Sequence, residues 1–335
     1  MAPTIAIARE FTPESELINS NYEHIEITED DTIPVIDFSL LISGNPKERS
    51  KAIKDLGKAC EEWGFFLLIN HGIPENVKNS MLEYVEQFFK LPEEEMRKFQ
   101  GKNVMDPVRC GTRSLNNGPG RTISRGYIKL IVHPEFHFPD KPAGYRDTAF
   151  EYCKSVREIV EELLKGLCEG LGLEPNYISK AMDLDSSFQR FVSQLYMPCP
   201  KPELASGSPA HSDHGLLTIV TDNGIPGLQT FHNGKWINLR PPPNAVMVNT
   251  CDQLEILTNG KFKSNVHRVF HTGNTTRISL VSTNGPSPDK LVSPAPELVD
   301  ESHPPAFAAL TMREYYERHQ SSSLDGKTIL DQVRI

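Results

Sequence analysis

Hydrophobic positions alternate between helical and strand spacing over the first hundred residues. The segment TIPVIDFS predicts a short strand, and hydrophobic side chains then recur at helical spacing from Ile53 to Trp63. The continuous apolar run WGFFLLINHGIP, closed by Gly and Pro, predicts a strand at the centre of its sheet. One face of a second helix carries apolar residues from Val77 to Phe88, and Pro92 stands where a short third helix would begin.

The stretch from 101 to 145 is rich in glycine, proline and polar residues, as in LNNGPGRTISRG and HPEFHFPDKPAG. It predicts a long irregular connection in which only a short segment such as YIKLIV forms a strand. Connections of this length inside a compact domain usually act as lids or binding loops, so we expect a pocket wall here. The long helix that follows is predicted to bury one face formed by Phe150, Cys153, Val156, Val160, Leu163, Leu167 and Leu171.

From about residue 186 the pattern changes to short apolar strands separated by Gly, Pro and Asn. These segments are FQRFVSQLY, LLTIVTD, GLQTF, WINLR, AVMVNT, VHRVF and RISLVST. Such spacing is typical of a barrel or a double sheet, and eight-stranded jelly rolls are one architecture that produces it. The segment LTMREYYERHQ predicts one closing amphipathic helix.

The composition is typical of a folded globular chain, and it favours a small molecule as the binding partner. The 335 residues are 38% hydrophobic and 24% charged, with a net charge of −9 and a pI near 5.7. An acidic chain without a cluster of Lys and Arg is unsuited to nucleic acid or to an acidic membrane surface, and no apolar run reaches spanning length. The start has no signal-peptide core, and the six cysteines form no Cys-X-X-Cys pair. We expect a cytoplasmic monomer with reduced thiols.

The segment PAHSDHGLLTIV places His211 and Asp213 one residue apart in a run that predicts a strand. Residues i and i+2 of a strand share a face, so the two side chains can converge on one object, although a polar pair at a sheet rim has the same pattern. His267, in NVHRVF, lies 56 residues later on a second predicted strand, which we expect to face the first. Two imidazoles and one carboxylate form the facial triad of non-haem Fe(II) oxygenases, while zinc accepts the same ligands.

A candidate anion site follows closely along the chain. Arg277 and Ser279, in TRISL, share one strand face and offer a fork of donors and a hydroxyl suited to a carboxylate. The alternative is a structural salt bridge between Arg277 and a carboxylate of the protein itself.

Together these residues resemble the plant class of 2-oxoglutarate- and Fe(II)-dependent dioxygenases. The similarity covers nearly the whole chain, through TIPVIDF, WGFFLLINHGIP, FFKLP, LYMPCP, HSDHGLLTIV, GLQTFHNGKWINL, DQLEILTNGKFKSNVHRV and RISL. It implies a mixed α and β fold, with a double-stranded β-helix (jelly-roll) core flanked by N-terminal helices and a C-terminal helix. It also implies Fe(II) on His211, Asp213 and His267, and 2-oxoglutarate on Arg277, Ser279 and Tyr196. O₂ is consumed and ascorbate is expected to stimulate the reaction.

The resemblance divides the chain into five expected regions. They are an N-terminal extension (1–30), an N-terminal region of helices, edge strands and a pocket loop (31–145), a long support helix with its connection (146–185), the Fe(II)/2-oxoglutarate jelly-roll core (186–290), and a C-terminal helix and tail (291–335).

Two features of the chain bear on how it binds its ligands. Gln194 stands where the family usually has Asn, and its amide can still donate to the co-substrate, although the extra methylene moves the donor. By resemblance, the organic substrate contacts Tyr127, Lys129 and Thr283, and the closing helix near Tyr315 acts as a lid. The positions that differ from the family at Thr250, Cys251 and Leu67 do not include a predicted metal ligand.

The expected activity is oxidation of a small plant specialised metabolite, coupled to decarboxylation of 2-oxoglutarate to succinate and CO₂. Hydroxylation, desaturation and O-demethylation are all compatible with such a site, and the outcome depends on which C–H bond faces the metal. One alternative is a hormone-modifying oxidase, although the chain lacks the LPWKE-like stretch of gibberellin oxidases and retains Tyr196, unlike the ethylene-forming relatives. Another is a non-catalytic jelly-roll protein with a structural metal, which would want a fourth protein ligand.

Overall fold

A computed structural model of the chain describes residues 32–101, 103, 106–116, 122–198, 207–270, 274–321 and 328–335. The predicted extension over 1–30 lies outside the described residues, as does Cys199. The helices are α1 (Phe38–Leu41), α2 (Pro46–Glu62), α3 (Glu75–Phe89), α4 (Glu93–Arg97), α5 (Tyr145–Gly170), α6 (Tyr177–Met182), α7 (Asp252–Leu257), α8 (Met312–Ser321) and α9 (Thr328–Gln332). Short 3₁₀ helices lie at Leu184–Ser186 and Pro296–Leu298.

Most of the strands belong to two large layers. The strands are β1 (Val35–Asp37), β2 (Phe65–Ile69), β3 (Val108–Asn116), β4 (Thr122–His133), β5 (Phe188–Tyr196), β6 (Ser208–His211), β7 (Leu217–Asp222), β8 (Leu228–His232), β9 (Lys235–Asn238), β10 (Val246–Thr250), β11 (His267–Val269), β12 (Arg277–Gly285), β13 (Leu291–Val292) and β14 (Leu310–Thr311).

Within the described residues, the larger sheet runs in the order β1-β2-β10-β7-β12-β5-β4-β3 and the smaller one in the order β6-β11-β8-β9. Only the β1–β2 pair among these described strands is parallel. One apolar cluster joins the inner faces of the two sheets, with Tyr196 and Val220 from the larger and Leu228 and Val269 from the smaller. The predicted mixed fold with a two-sheet core is confirmed.

Helices cover the outer face of the larger sheet, and strand alternation sorts its side chains between the two faces. Ile278 and Leu280 of β12 are buried in the same apolar cluster as α3 and α5, whereas Arg277 and Ser279 line a cavity between the sheets. The long helix α5 packs closely on α1, since a Cβ at Gly166 would lie 2.9 Å from Cδ1 of Leu41. None of the helices in the described ranges combines the length and apolar character that a bilayer span requires.

The structure corrects three local predictions. Strand β2 lies second from an edge of the sheet and not at its centre. In the described residues of the stretch from 101 to 145, two long antiparallel strands, β3 and β4, pair from Val108 with Leu130 and extend the larger sheet. Phe150 is 56% exposed, because the buried stripe of α5 follows Ala149 and Cys153 and leaves Phe150 on its flank, edge-on to the ring of Phe136.

Candidate metal and co-substrate site

Two of the predicted metal ligands lie opposite each other on neighbouring strands. His211 is the last residue of β6, and His267 is the first residue of β11. These strands are antiparallel, and their register pairs His267 directly with His211, which places the ring centroids 4.5 Å apart. The expected arrangement of two strands that face each other is wrong, because β6 and β11 are hydrogen-bonded neighbours in the smaller sheet.

Asp213 lies beyond the end of β6, in the loop that leads to β7, so the prediction that one strand carries both His211 and Asp213 is wrong. The loop nevertheless turns the carboxylate toward the imidazoles. Nε2 of His211 lies 3.9 Å from Oδ1 of Asp213, and Nε2 of His267 lies 3.8 Å from Oδ2. Asn249 on β10 donates a hydrogen bond of 3.0 Å from Nδ2 to Oδ2, and this bond fixes the orientation of the carboxylate.

The protonation states of these groups suit a metal ion. Nδ1 of His211 lies 2.8 Å from the carbonyl oxygen of Pro209, which can only accept, so Nδ1 carries the proton and Nε2 keeps its lone pair. Burial, and to a smaller extent the neighbouring imidazole of His267, lowers the pKa of His211 to about 3. Burial acts to raise the pKa of Asp213, but the two imidazoles and the Asn249 amide hold it below its usual value. At neutral pH the site therefore presents a neutral imidazole and a carboxylate.

The three side chains form a compact donor set. One potential ligand atom from each of His211, Asp213 and His267 lies within 4.8 Å of the others, and no fourth His, Cys, Asp or Glu joins them among the described residues. Two imidazole nitrogens and one carboxylate oxygen on one side of an ion leave coordination positions open, as in non-haem Fe(II) oxygenases. The donor chemistry therefore fits an iron that must also bind other molecules, and it does not resemble a closed structural zinc site.

Arg277 is almost completely buried, at 1% exposure, and its donors divide between the protein and the cavity. Nη2 lies 2.9 Å from Oδ2 of Asp222, and Nε donates to the carbonyl oxygen of Ile225 at 3.1 Å. Nη1 is buried and has no hydrogen-bond partner in the part of the chain that the structure describes. The anticipated salt bridge is present, yet one donor of a buried guanidinium is left for an acceptor that enters the cavity.

Tyr196 and Gln194 lie beside Arg277 on the paired strand β5. The register of β5 and β12 sets Tyr196 opposite Arg277 and Gln194 opposite Ser279, and all four side chains line the cavity. Oε1 of Gln194 accepts hydrogen bonds from the Tyr196 hydroxyl and, at 2.8 Å, from Nη1 of Arg125. These bonds orient the amide so that Nε2 is the donor available to a ligand.

The residues predicted to contact an organic substrate line the same cavity, which has a volume of about 160 Å³. Tyr127 and Lys129 lie on one face of β4, and Thr283 lies toward the far end of β12 from Arg277. The closing helix, which is expected to act as a lid near Tyr315, contributes Tyr316 and not Tyr315 to the cavity wall. The side chain of Tyr315 is fully buried beneath α8 and donates to Oδ2 of Asp252, while the adjacent Tyr316 lines the cavity, because successive helical residues are turned by about 100°.

Several residues that contact the site have no counterpart among the predictions, and they include Arg125, Arg190, His214, Asn249 and Tyr316. A signal was present for Arg190, because the alternation that sets Gln194 and Tyr196 on one face of β5 sets Arg190 there too. The same reasoning extends from Tyr127 to Arg125 on β4. Asn249 and Tyr316 reach the site through tertiary contacts that no local pattern encodes.

Models of two families match most of the described chain. Residues 185–286 match the 2OG-Fe(II) oxygenase superfamily, and residues 33–146 match the model of the non-haem dioxygenase in morphine synthesis N-terminal region. The 2-oxoglutarate-dependent dioxygenase 19 of Oryza sativa subsp. japonica is 43% identical over 304 residues, which cover 90% of each chain. The leucoanthocyanidin dioxygenase of Malus domestica is 34% identical over 91% of this chain and 88% of its own.

Solved structures agree with these matches. The crystal structure of JOX2 in complex with 2OG, Fe and JA is similar over 98% of both chains, with a TM-score of 0.82 and 25% identity. The crystal structure of the dioxygenase for auxin oxidation in rice shares the fold, with a TM-score of 0.74 and 22% identity over 91% of this chain and 100% of that one.

Proposed function

Because this chain belongs to the family of 2-oxoglutarate- and Fe(II)-dependent oxygenases, we propose that His211, Asp213 and His267 hold its iron. When bound, the iron supplies the oxidising chemistry that converts 2-oxoglutarate and O₂ into succinate and CO₂ and oxidises the organic substrate. The observation that carries the assignment is the open three-ligand set at the wall of a cavity that also contains Nη1 of Arg277, for which the described residues supply no hydrogen-bond partner.

The protein's own groups prepare this site for its ligands. Burial keeps His211 neutral, and the Nδ1 bond to Pro209 directs Nε2 toward the metal position. Asn249 holds one carboxylate oxygen of Asp213, which limits rotation of that ligand. The two packed sheets exclude bulk water from one side of the cavity, so charges inside it interact strongly.

The far carboxylate of 2-oxoglutarate is assigned to Arg277, Ser279 and Tyr196. Nη1 of Arg277 supplies a charge-assisted hydrogen bond, and the paired strands put the Ser279 and Tyr196 hydroxyls on the same cavity face. Nε2 of Gln194 supplies a further donor. Asp222 keeps the guanidinium in place while the co-substrate enters and leaves.

A small plant specialised metabolite is the proposed organic substrate, bound by Tyr127, Lys129 and Thr283. Relatives named leucoanthocyanidin dioxygenase and flavonol synthase/flavanone 3-hydroxylase support this class. The wall residues set which C–H bond faces the iron, and so they decide between hydroxylation, desaturation and O-demethylation.

A hormone-modifying oxidase is the second candidate function. It is favoured by the similarity to JOX2, whose crystal structure contains JA, over 98% of both chains. The two candidates differ in the substrate alone and share the residues that hold iron and 2-oxoglutarate.

The enzyme is proposed to act in the cytoplasm as a monomer without nucleic-acid or membrane partners. Five cysteines in the described residues are free and buried, as in a reducing compartment, and the chain carries a net charge of −9.

The test is to incubate the protein with Fe(II), ascorbate, 2-oxoglutarate and a fractionated plant extract, and to measure succinate and mass-shifted products together. We expect succinate to rise with a product that gains one oxygen or loses two hydrogens or a methylene. Asp213→Ala is the matched inactive variant, and it should retain the fold while losing iron. Succinate at the level of this variant in every fraction would support a non-catalytic metal-binding protein instead.

A further inference from the structure

A second group of cations lines the cavity at the end opposite Arg277. Arg277 opens β12 and Thr283 follows six residues later, a separation of about 20 Å along an extended strand. The register of β5 and β12 sets Arg190 opposite Thr283, so Arg190 belongs to the far end of the cavity. Four cationic residues but only one carboxylate, Asp213, are among the described side chains of the wall.

Arg190 is a buried guanidinium with no anionic partner in the part of the chain that the structure describes. It is 9% exposed, and it makes no hydrogen bond or ion pair with any described residue. Its charge lies over two aromatic rings, 4.6 Å from the centroid of Tyr316 and 5.1 Å from that of Phe188. Stacking holds the guanidinium in place at the cavity wall, where its N–H groups form no hydrogen bond with a described residue and are available to an anion that enters the cavity.

Two further cations lie beside Arg190. Arg109 and Lys129 are cross-strand partners on β3 and β4, and Lys129 lines the cavity. Burial, followed by the nearby charge of Arg190, lowers the pKa of Arg109, which indicates that the two guanidinium groups repel each other. An anion bound between them would offset this repulsion and accept hydrogen bonds from both guanidinium groups.

The co-substrate cannot supply this anion. The proposed function assigns the far carboxylate of 2-oxoglutarate to Arg277, Ser279 and Tyr196, at the end of the cavity opposite Arg190, so this carboxylate is not available to Arg190. Arg125, the remaining cation of the wall, already donates to Gln194 near the co-substrate end. The positive charge at Arg190 and Arg109 is therefore left for the organic substrate.

We propose that Arg190 and Arg109 form an anion subsite that binds a carboxylate of the organic substrate. This inference rests on the proposed function, because it concerns the second molecule in the same cavity. The guanidinium fork of Arg190 matches a carboxylate in a bidentate arrangement, and Lys129 adds charge at close range. The substrate is thus an organic acid, and its reacting C–H bond lies on the part of the molecule between this subsite and the metal.

The first experiment uses benzoate and its neutral isostere benzamide as probes. Each is titrated by calorimetry into the anaerobic holoenzyme loaded with Fe(II) and saturating 2-oxoglutarate, so that the site at Arg277 is filled. We expect benzoate to bind at least about tenfold more tightly than benzamide, and Arg190→Gln to abolish the difference. Equal affinities, no benzoate binding, or benzoate binding that merely competes with 2-oxoglutarate would each overturn the proposal.

A control variant shows whether a change in benzoate affinity comes from the subsite itself or from the lower net positive charge of the protein. Arg97→Gln removes an exposed cation of α4 far from the cavity, and it should leave the benzoate affinity unchanged. If Arg190→Gln fails to fold, as judged by circular dichroism, Arg109→Gln provides a second test because Arg109 is only half-buried. A wild-type preference for benzoate in Arg109→Gln would then count against the subsite.

A second experiment uses turnover. A plant extract is offered untreated, after methylation of its carboxylates, and after saponification of the methyl esters. We expect oxidised product from the first and third samples and none from the second. Product from the methylated sample would overturn the subsite while supporting the oxygenase function, whereas a lack of succinate in all three would overturn the proposed function itself.

Discussion

The hydroxyl of Tyr315 donates a hydrogen bond to Oδ2 of Asp252 across 2.6 Å, and both residues are buried. Ser212 donates to the same oxygen from 3.0 Å, and Ser264 donates to Oδ1 from 2.5 Å. Ser212 directly precedes Asp213, and Ser264 lies three residues before His267. A single carboxylate at the start of α7 therefore ties the closing helix α8 to both segments that carry the proposed metal ligands.

We expect Tyr315→Phe to lower the free energy of unfolding by about 1.5 to 3 kcal/mol, because the buried carboxylate of Asp252 loses a donor. Burial and the Asp252 carboxylate raise the pKa of Tyr315 well above its usual value, so the hydroxyl remains a donor throughout the working pH range. Urea denaturation measures the change. Fe(II) affinity should fall in the same variant, since α8 no longer restrains the loop of Asp213.

Tyr177→Phe is the matched control. Its hydroxyl also donates to a carboxylate, that of Glu297, but at an exposed position far from the metal ligands. We expect a change within about 0.5 kcal/mol and an unaltered Fe(II) affinity for this control. Similar losses in both variants would contradict a special role for the Asp252 network.

Asn249→Ala should weaken Fe(II) binding by about 10- to 100-fold, the usual cost of removing a hydrogen-bond partner from a metal-bound carboxylate. Asn249 donates to Oδ2 of Asp213 and is itself 1% exposed, so water cannot readily replace the bond. Anaerobic titration with Fe(II), followed by calorimetry, measures the affinity. Asn238→Ala removes a strand amide that bonds Gln229 instead, and it should leave the affinity unchanged.

Arg277→Ala should weaken 2-oxoglutarate by about 2 to 4 kcal/mol, because a charge-assisted contact is lost and the co-substrate carboxylate is left unpaired. The measurement is the KM for 2-oxoglutarate from succinate release. Arg277→Lys should rescue only part of this loss, since an ammonium cannot bond both Asp222 and a ligand with the geometry of the planar fork. A KM that is unchanged in Arg277→Ala would require another anchor for the co-substrate, and Arg97→Ala controls for the loss of charge.

Local periodicity was sufficient to predict that Arg277 and Ser279, two of the residues proposed to bind the co-substrate, share a strand face. On β12 and β5 the period of two sets Arg277 with Ser279 and Gln194 with Tyr196, and this geometry needs no knowledge of the rest of the chain. The sequence was sufficient to identify His211, Asp213 and His267 as candidate metal ligands, but it could not predict how they are arranged in space. His211 and His267 meet through a strand register 56 residues apart, and Asp213 is turned inward by a loop whose carbonyl accepts from the backbone of Asp252.

The strands β3 and β4 could not be predicted in full from the sequence, because one face of the pair is polar and lines the cavity. The inward face carries polar and charged residues such as Tyr127 and Lys129, while the opposite face buries Cys110 and Ile128. A strand with one polar face toward a wet cavity, in a stretch rich in Gly and Pro, has the composition of a loop. Strand alternation places Arg190 on the same face as Gln194 and Tyr196, but a lone cation in an apolar strand does not reveal which ligand it meets.

The last prediction concerns the coupling between oxidation and decarboxylation. Tyr127→Ala, Lys129→Ala and Thr283→Ala each truncate a side chain of the cavity wall without touching the proposed iron ligands or Arg277. We expect 2-oxoglutarate to be decarboxylated still, while less of the organic substrate is oxidised, because the reacting C–H bond is no longer held in place. The ratio of oxidised product to succinate measures this uncoupling. Lys290→Ala changes a partly buried lysine that does not line the cavity, and it should keep the wild-type ratio. If all three wall variants keep the wild-type ratio and the wild-type substrate affinity, the organic substrate binds elsewhere. Removal of a side chain that contacts the substrate would shift the reacting C–H bond and lower the ratio.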